Sequence, residues 1–494
     1  MKGNRNREKG KRSANSGERG RIDSAGAVAV HPVSQRLDQV SLALLALMMF
    51  VVPLALSFRT TAVAGPIKYL IVRLMMFVVL SLWLFSQAFE GRFTFRMPRL
   101  NLPVAVYAGL CVVASVLAPN PVGSLVVLHD LLWCIAIYVV VANSGFNEKS
   151  FTTILAAMAC AAFMAAVFGV LQRFNLAFNE WSAPEGEPIG TPSSFGHRNF
   201  AAEYMVACFP FVAALFWRVR SNVVKAVTLV ALLTILFHLF LAGSRASWIA
   251  LFAAISFSLL VFLASPSSES GRSRFGALLD ACRKCLRRWE VRILAVCALV
   301  FLAIGPFVLR SDFKEFMRDA RTTFSLQRES NIVRVATWQS SAELALAHPV
   351  LGVGAGNYEV FLPEYWNMVD KERFAKKNRV SRLAHNAYLQ IACETGFIGL
   401  GAFTWVVATA FVVGLGVVRR SYASHVNWLV VAALCSVVAA LVNAFFAFNL
   451  SNPATRVLFW FALGCIGAAE RRSFVQPLPG REQVGERSVR TGDT

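Results

Sequence analysis

"SRLAHNAYLQIACETGFIGLG", residues 381–401, leads from a polar, basic segment directly into an apolar run that continues to about residue 417. A helix needs about 20 mostly apolar residues to cross the hydrocarbon core of a bilayer. The stretch therefore predicts a transmembrane helix whose first turn, next to His385 and Asn386, lies at the membrane surface.

The composition of the whole chain is that of an integral membrane protein. Of its 494 residues, 56% are hydrophobic and 16% are charged, and the mean hydropathy is +0.55. Soluble domains carry about 25% charged residues. The formal net charge of +21 is concentrated in short segments between apolar runs. This pattern indicates topogenic signals rather than a nucleic-acid-binding face, so we expect a lipid bilayer as partner and no nucleic acid.

About twelve apolar runs are long enough to span a membrane, which predicts an all-α polytopic membrane protein. The predicted spans are 37–57, 67–88, 102–118, 124–142, 151–171, 200–217, 223–242, 246–264, 291–309, 387–417, 426–448 and 454–470. If the amino terminus is cytoplasmic, the connections with an excess of Lys and Arg all fall inside, as the positive-inside rule requires.

The spans divide the chain into five parts. We expect a disordered, basic cytoplasmic tail at 1–36, transmembrane helices 1–9 within 37–309, and a long outer loop or lid at 310–386. Transmembrane helices 10–12 follow within 387–470, and 471–494 form a second cytoplasmic tail. No repeat relates the two halves of the chain.

The outer loop contains "NIVRVATWQSSAELALAHP", residues 331–349, whose apolar positions recur at spacings of three and four. This pattern predicts an amphipathic helix, which would lie on the membrane surface or fold over a cavity. Elsewhere, Cys282 and Cys285 form a C-x-x-C pair without a second pair or nearby histidines, so we interpret them as helix residues in a cytoplasmic loop rather than zinc ligands.

Three residues on the predicted outer side are candidates for chemistry. Singly, Arg245 could reach lipid headgroups, Arg334 could be a solvated charge, and His385 could be an interfacial residue beside an N-cap, Asn386. Together they suit one reaction. Two guanidinium groups match the oxygens of a pyrophosphate leaving group, and an imidazole can act as base for a hydroxyl nucleophile.

Glu394 is a further candidate, because it is a carboxylate within an apolar run. It could pair with an arginine and orient the site, or it could lie near headgroups or bond to a neighbouring helix. For His129 and Asp130, at the outer end of the fourth predicted span, we expect a structural role.

The motifs resemble the bacterial O-antigen ligase and Wzy-type polymerase superfamily. They are "GSRASW" at 243–248, "RVATWQSSAELALAHPVLGVGAGNY" at 334–358 and "HNAYLQIACETGFIGLG" at 385–401. Within the second, "HPVLGVGAGNY" is similar to the family's Pro-Leu-Gly-x-Gly-x-Gly turn. "FGHRNFAAEY" at 195–204 is similar to its Gly-Asn-Pro-Asn-Phe segment but has Arg198 where proline is usual.

The resemblance implies a glycosyltransferase type C-like helical bundle with a large periplasmic loop, in the bacterial inner membrane. It implies that Arg245 and Arg334 hold the undecaprenyl pyrophosphate of a lipid-linked glycan donor and that His385 activates the acceptor hydroxyl. Supporting candidates are Asn386, Glu394, His197, Arg198 and Asn199. Catalysis in the ligase branch is regarded as metal-independent, and the chain has no Asp-x-Asp motif, so we expect neither metal nor cofactor.

The sequence is compatible with several functions. The acceptor could be lipid A core, a second lipid-linked or exopolysaccharide glycan, or a protein hydroxyl. A twelve-helix secondary transporter is the alternative from another class, and half-to-half symmetry with charges near mid-membrane would favour it. A non-catalytic scaffold would leave the arginines and the histidine unexplained.

Overall fold

The structure is a computed structural model, and it describes residues 32–57, 65–90, 98–177, 191–264, 327–372, 383–420, 427–447 and 449–475, with a few single positions between 313 and 325. Within these ranges every regular element is helical, which confirms the predicted all-α class. The predicted ninth span (291–309), Cys282 and Cys285 lie outside the described residues.

Twelve long helices carry the described fold. They are α1 (Pro32–Leu54), α2 (Gly65–Phe89), α3 (Asn101–Val116), α4 (Pro121–Asn143), α5 (Glu148–Arg173), α6 (Arg198–Arg218), α7 (Asn222–Ala242), α8 (Arg245–Ala264), α9 (Glu329–Ala347), α10 (Ala387–Arg420), α11 (Asn427–Ala444) and α12 (Pro453–Val475). All except α9 coincide with predicted spans.

Eight of these helices (α1, α2, α4 to α8 and α10) are long and apolar enough to cross a membrane, and α3 and α11 are shorter apolar helices. The count of twelve spans is therefore not established by the described residues, although a polytopic membrane protein is. Two helices extend into the predicted tails: α1 begins at Pro32, within 1–36, and α12 extends to Val475, within 471–494.

Most of the buried apolar side chains form one continuous core among the helices. Helix α12 packs along α4, where Gly464 and Gly467 let the two backbones approach: a Cβ on Gly464 would lie 2.8 Å from the side chain of Val141. Helix α11 packs against α6 and α8, and α1 packs against α2 and α5.

Contacts between helix ends identify two ends of the bundle within the described residues. At one end, the Arg99 amide donates to Glu470 (3.1 Å) and Arg471 donates to the Asn143 carbonyl (2.8 Å). At the other end, Asn357 donates to Ser124 (3.1 Å), which joins the long loop to the start of α4. We use "outer" for the second end, because the sequence predicts these residues on the outer side.

The long outer loop folds onto this end and has a small core of its own. Helix α9 corresponds to the predicted amphipathic helix. Short helical turns follow at Tyr358–Phe361, Leu362–Tyr365 and Met368–Asp370. Buried Asp370 anchors α9 by accepting hydrogen bonds from Ser340 (2.6 Å) and Thr337 (3.3 Å). The loop's core joins it to the first turns of α10 and comprises Leu344, Ala345, Val353, Tyr358, Leu362, Ala384, Ala392 and Cys393.

Candidate active site at the outer end

Arg245 is fixed at the outer end of the bundle by a very short helix connection. Helix α7 ends at Ala242 and is capped by Gly243, whose left-handed φ of 59° suits a residue without a side chain. Helix α8 begins two residues after this glycine, at Arg245 itself. The guanidinium donates from Nη2 to Oδ1 of Asn331 on α9, over 3.3 Å. Arg245 therefore contacts the loop helix directly.

Arg334 lies on the same face of α9 as Asn331, because residues three positions apart are neighbours on a helix. Arg245 thus contacts α9 one helical turn from Arg334. Burial lowers the pKa of the half-buried Arg334 guanidinium, and the nearby carboxylate of Glu203 on α6 opposes this shift.

Glu203 was not predicted to belong to the site. It is 2% exposed, and its Oε2 atom has no hydrogen-bond partner within the described part of the chain. A buried carboxylate is costly unless a positive charge faces it, and Arg334 supplies that charge. The sequence does carry a signal for Glu203, because it is a lone carboxylate in an apolar run, as Glu394 is.

His385 occupies a constrained position immediately before α10. Its φ of 53° lies in the left-handed region, which is uncommon for a residue with a side chain, and such outliers cluster at functional sites. The backbone is fixed on both sides. The Ala384 amide donates to Gln390 (2.8 Å), and Oδ1 of Asn386 accepts from the amides of Tyr388 and Leu389 (3.0 and 3.1 Å). Asn386 is thus the N-cap of α10.

Helix α9 lies between Arg245 and α10, the helix that begins just after His385. Near its amino terminus Asn331 contacts Arg245, and ten residues later the Ser341 carbonyl accepts a bond from Cys393 of α10 (3.1 Å). Ten residues correspond to about 15 Å of helix. The loop helix therefore bridges the outer end from α8 to α10.

Helix α10 is broken where it meets the loop. Gly396 has φ 68° and ψ −178°, so the helix consists of an outer and an inner segment. The amides of Val353 and Gly354 donate to the carbonyls of Cys393 and Glu394 (2.8 and 2.9 Å). The glycine-rich turn thus satisfies two carbonyls that the break leaves without partners within the helix.

Glu394 lines a cavity and forms no ion pair with the residues that the structure describes. Its Oε1 atom accepts a hydrogen bond from Gln390 over 2.6 Å, and Arg456 at the start of α12 lines the same cavity. Gln390 belongs to the same helix, α10, so the observed bond is neither the predicted arginine partner nor the predicted bond to a neighbouring helix. Arg456 was not singled out in the sequence.

The remaining supporting candidates form the start of α6. His197 is its N-cap, because Nδ1 accepts from the Asn199 amide (3.1 Å), and Arg198 is the first helical residue. His129 and Asp130 have structural partners: His129 accepts from Trp133 (2.7 Å), and Asp130 accepts from Arg73 (2.6 Å). Across the described ranges, no group of three or more His, Cys, Asp or Glu side chains could hold a metal ion.

The fold and site define a polytopic membrane protein with a charged site at one end of its bundle. Residues 229–404 match the sequence model of a family described as O-antigen ligase. The matched segment contains Arg245, Arg334, His385 and Glu394, whereas Glu203 lies before it and Arg456 after it.

The chain is also similar to the teichuronic acid biosynthesis protein TuaE of Bacillus subtilis (strain 168), with 25% identity over 224 residues. That alignment covers 45% of this chain and 40% of TuaE. The two matches support the resemblance to the O-antigen ligase and Wzy-type superfamily that the sequence motifs indicate.

Proposed function

We propose that the protein is a membrane glycosyltransferase that transfers or polymerises an undecaprenyl-pyrophosphate-linked glycan at the periplasmic face of the bacterial inner membrane. The acceptor is lipid A core or another glycan. The family match supports glycan ligation or polymerisation, and the apolar helices support a lipid-linked substrate. An exopolysaccharide polymerase and a protein O-oligosaccharyltransferase are variants of the same reaction with other acceptors.

The contact of Arg245 with Asn331 is the observation that carries this proposal. It joins Arg245, at the outer end of the bundle, to α9, the helix that carries Arg334. A guanidinium can donate two parallel hydrogen bonds to phosphate oxygens. In the proposed role, Arg245 and Arg334 bind the pyrophosphate and stabilise the negative charge that develops on it as it leaves.

His385 acts as the general base in this scheme. The acceptor hydroxyl attacks the anomeric carbon of the donor glycan and passes its proton to the imidazole. The bond between that carbon and the pyrophosphate oxygen breaks, and undecaprenyl pyrophosphate leaves with the electron pair. The site lies at the outer end of the bundle because the donor lipid stays in the membrane while its pyrophosphate and sugars extend into water.

A secondary transporter is the second candidate, and the break in α10 is the observation that favours it. Transporters bind ions with carbonyls of interrupted helices. In this chain the carbonyls of Cys393 and Glu394 at the break already accept bonds from Val353 and Gly354. They are therefore engaged in the packing of the loop, which favours the enzyme.

Glycan analysis of cells that lack this chain tests the proposal. A transferase predicts that lipid-linked glycan accumulates at the periplasmic face and that the mature glycan is lost. A transporter of the lipid-linked precursor predicts accumulation at the cytoplasmic face instead. Unchanged amounts of both glycans would contradict both functions.

A further inference from the structure

An apolar cleft of about 390 Å³ lies between α6, α8 and α11. Helices α6 and α8 both pack along α11 but contact each other much less, so α11 forms the floor of the cleft and the other two helices form its walls. At about 30 Å³ each, this volume holds roughly a dozen groups of the size of a water molecule or a methylene. The cleft therefore has room for most of one hydrocarbon chain.

The cleft extends from one end of the bundle to about its middle. On α6 it begins at Trp217, the penultimate residue, and reaches Phe209, about 12 Å away along the helix. Arg218 pairs with Glu148 at the start of α5, so this end is opposite the outer one, and we call it the inner end. Half of a bilayer's hydrocarbon core is about 15 Å thick. The cleft thus has the depth of one leaflet.

The walls of the cleft are almost entirely hydrocarbon, and its rim is open. Trp217 and Ile255 at the rim are 52% and 49% exposed. Deeper in the cleft, Ser258 and Cys435 form a hydrogen bond to each other, which leaves neither group to attract water. Apolar cavities of this kind exclude water. Because a membrane-spanning bundle is surrounded by acyl chains, the medium itself supplies an apolar occupant.

Trp428 adds a hydrogen-bond donor at the inner end of the cleft. It is the second residue of α11 and lines the cleft, and its Nε1 atom is buried without a hydrogen-bond partner among the described residues. A buried indole N–H normally has a partner, and tryptophan is enriched at the level of lipid headgroups. An ester carbonyl of a lipid lies at this level and would supply the acceptor.

A positive charge lies beside the same end. Arg220 follows Trp217 by three residues, is exposed, and forms no ion pair with the residues that the structure describes. Its neighbour Arg218 differs, because Glu148 already neutralises it. One basic side chain near the membrane surface favours an anionic lipid by roughly fivefold. The charge therefore selects a negative headgroup.

We propose that the cleft binds an anionic phospholipid of the leaflet at the inner end. One acyl chain lies between α6 and α8, an ester carbonyl accepts from Trp428, and the phosphate lies beside Arg220. A helix of a second copy, about 10 Å across, would need more than twice the volume over the same length. The site is separate from the outer end, so the proposal is independent of the proposed transferase function.

Retention of lipid by the purified protein tests the site. The full chain would be reconstituted with equal amounts of palmitoyl-oleoyl phosphatidylglycerol and phosphatidylethanolamine, extracted in mild detergent, and weighed by native mass spectrometry. We expect the wild type to retain one phosphatidylglycerol. Ala213→Phe should abolish this retention, because the phenyl ring occupies the cleft. Ala156→Phe is the matched control, since Ala156 is exposed on α5 and does not line the cleft.

Arg220→Gln tests the headgroup without disturbing the packing of the bundle. We expect the variant to retain phospholipid but to lose the preference for phosphatidylglycerol, with the ratio of the two retained lipids falling about fivefold. Arg36→Gln is the control, because Arg36 is an exposed residue near the start of α1, which does not line the cleft. An unchanged ratio in Arg220→Gln would overturn the assignment of an anionic headgroup.

Three further results would overturn the site. They are loss of all lipid from the wild type on extraction, wild-type retention by Ala213→Phe, and a change of Ala213→Phe from oligomer to monomer with its lipid retained. Preferential retention of undecaprenyl phosphate from an equal mixture with phosphatidylglycerol would assign the cleft to an isoprenoid chain and also contradict the proposal. Matched size-exclusion profiles for Ala213→Phe and Ala156→Phe exclude misfolding as the cause of lost retention.

Discussion

Arg245 and Arg334 differ in how the protein surrounds them. Arg245 begins a helix and contacts one amide side chain, whereas Arg334 is half-buried and faces the carboxylate of Glu203. In the proposed reaction both bind the same pyrophosphate, so what matters is the planar fork of donors and not the charge alone. Lysine retains the charge but lacks the fork.

We therefore predict that Arg245→Lys and Arg334→Lys each lose most transfer activity. Removal of a hydrogen bond to a charged group costs about 1.5–3 kcal/mol, which corresponds to tenfold or more in rate. Initial rates with purified protein would measure the loss, with Arg73→Lys as a control at the same end of the bundle. If both lysine variants transferred glycan at the wild-type rate, the two arginines would act only through their positive charge, and the prediction would be contradicted.

At the scale of single residues, the sequence identified candidates better than it identified their partners. Glu394 stood out as a carboxylate in an apolar run, and the same criterion would have found Glu203. Arg456 could not be found in this way, because an arginine near a helix end is usual. Its place beside Glu394 arises from a cavity that α3, α4, α10 and α12 form together, and no local pattern encodes that arrangement.

Among the helices, α10 shows most clearly how the outer loop shapes the bundle. Its break at Gly396 brings the backbone of α10 against the backbone of the glycine-rich turn. A Cβ on Gly396 would lie 2.2 Å from the Val350 carbonyl oxygen, and the left-handed φ would add strain for any residue with a side chain.

We predict that Gly396→Ala destabilises the protein by more than about 1–2 kcal/mol, the usual cost of the left-handed conformation, because the clash with Val350 adds to it. Gly401→Ala is the matched control, since it lies in the same helix with nothing within 4 Å of an added Cβ. Size-exclusion chromatography after heating to a series of temperatures would give an unfolding midpoint for each variant. Equal midpoints for the two variants would show that the contact between α10 and the turn is not required.

The sequence predicted the length of α10 but not its break. An apolar run indicates only that a helix is long enough to tilt or to begin above the bilayer. The break depends on backbone contacts with residues 350–354, some forty residues earlier in the chain. Contacts between backbones leave no periodic pattern of apolar residues in the sequence. By contrast, the amphipathic spacing of residues 331–349 was sufficient to predict α9, because its buried face follows the helical repeat.

For the whole molecule, the excess of Lys and Arg in alternate connections predicts which end of the bundle is cytoplasmic. Topology reporters test this orientation. A reporter fused after residue 350 should be active only outside the cytoplasm, and one fused after residue 220 only inside. The reverse result would place the arginines and His385 on the cytoplasmic face and contradict the proposed periplasmic reaction.

The central claim is that the outer end of this bundle catalyses glycan transfer with His385 as base. Its most direct test compares wild-type protein and His385→Ala in a purified system that contains lipid-linked donor and acceptor. General-base assistance is typically worth 10²–10⁴-fold, so the variant should fold and bind donor through Arg245 and Arg334 yet transfer glycan at least about 100-fold more slowly. The wild-type rate should also fall at acidic pH, because a protonated imidazole cannot accept the proton of the hydroxyl. Transfer by His385→Ala at the wild-type rate would contradict the catalytic role and leave His385 as a residue that only shapes the start of α10.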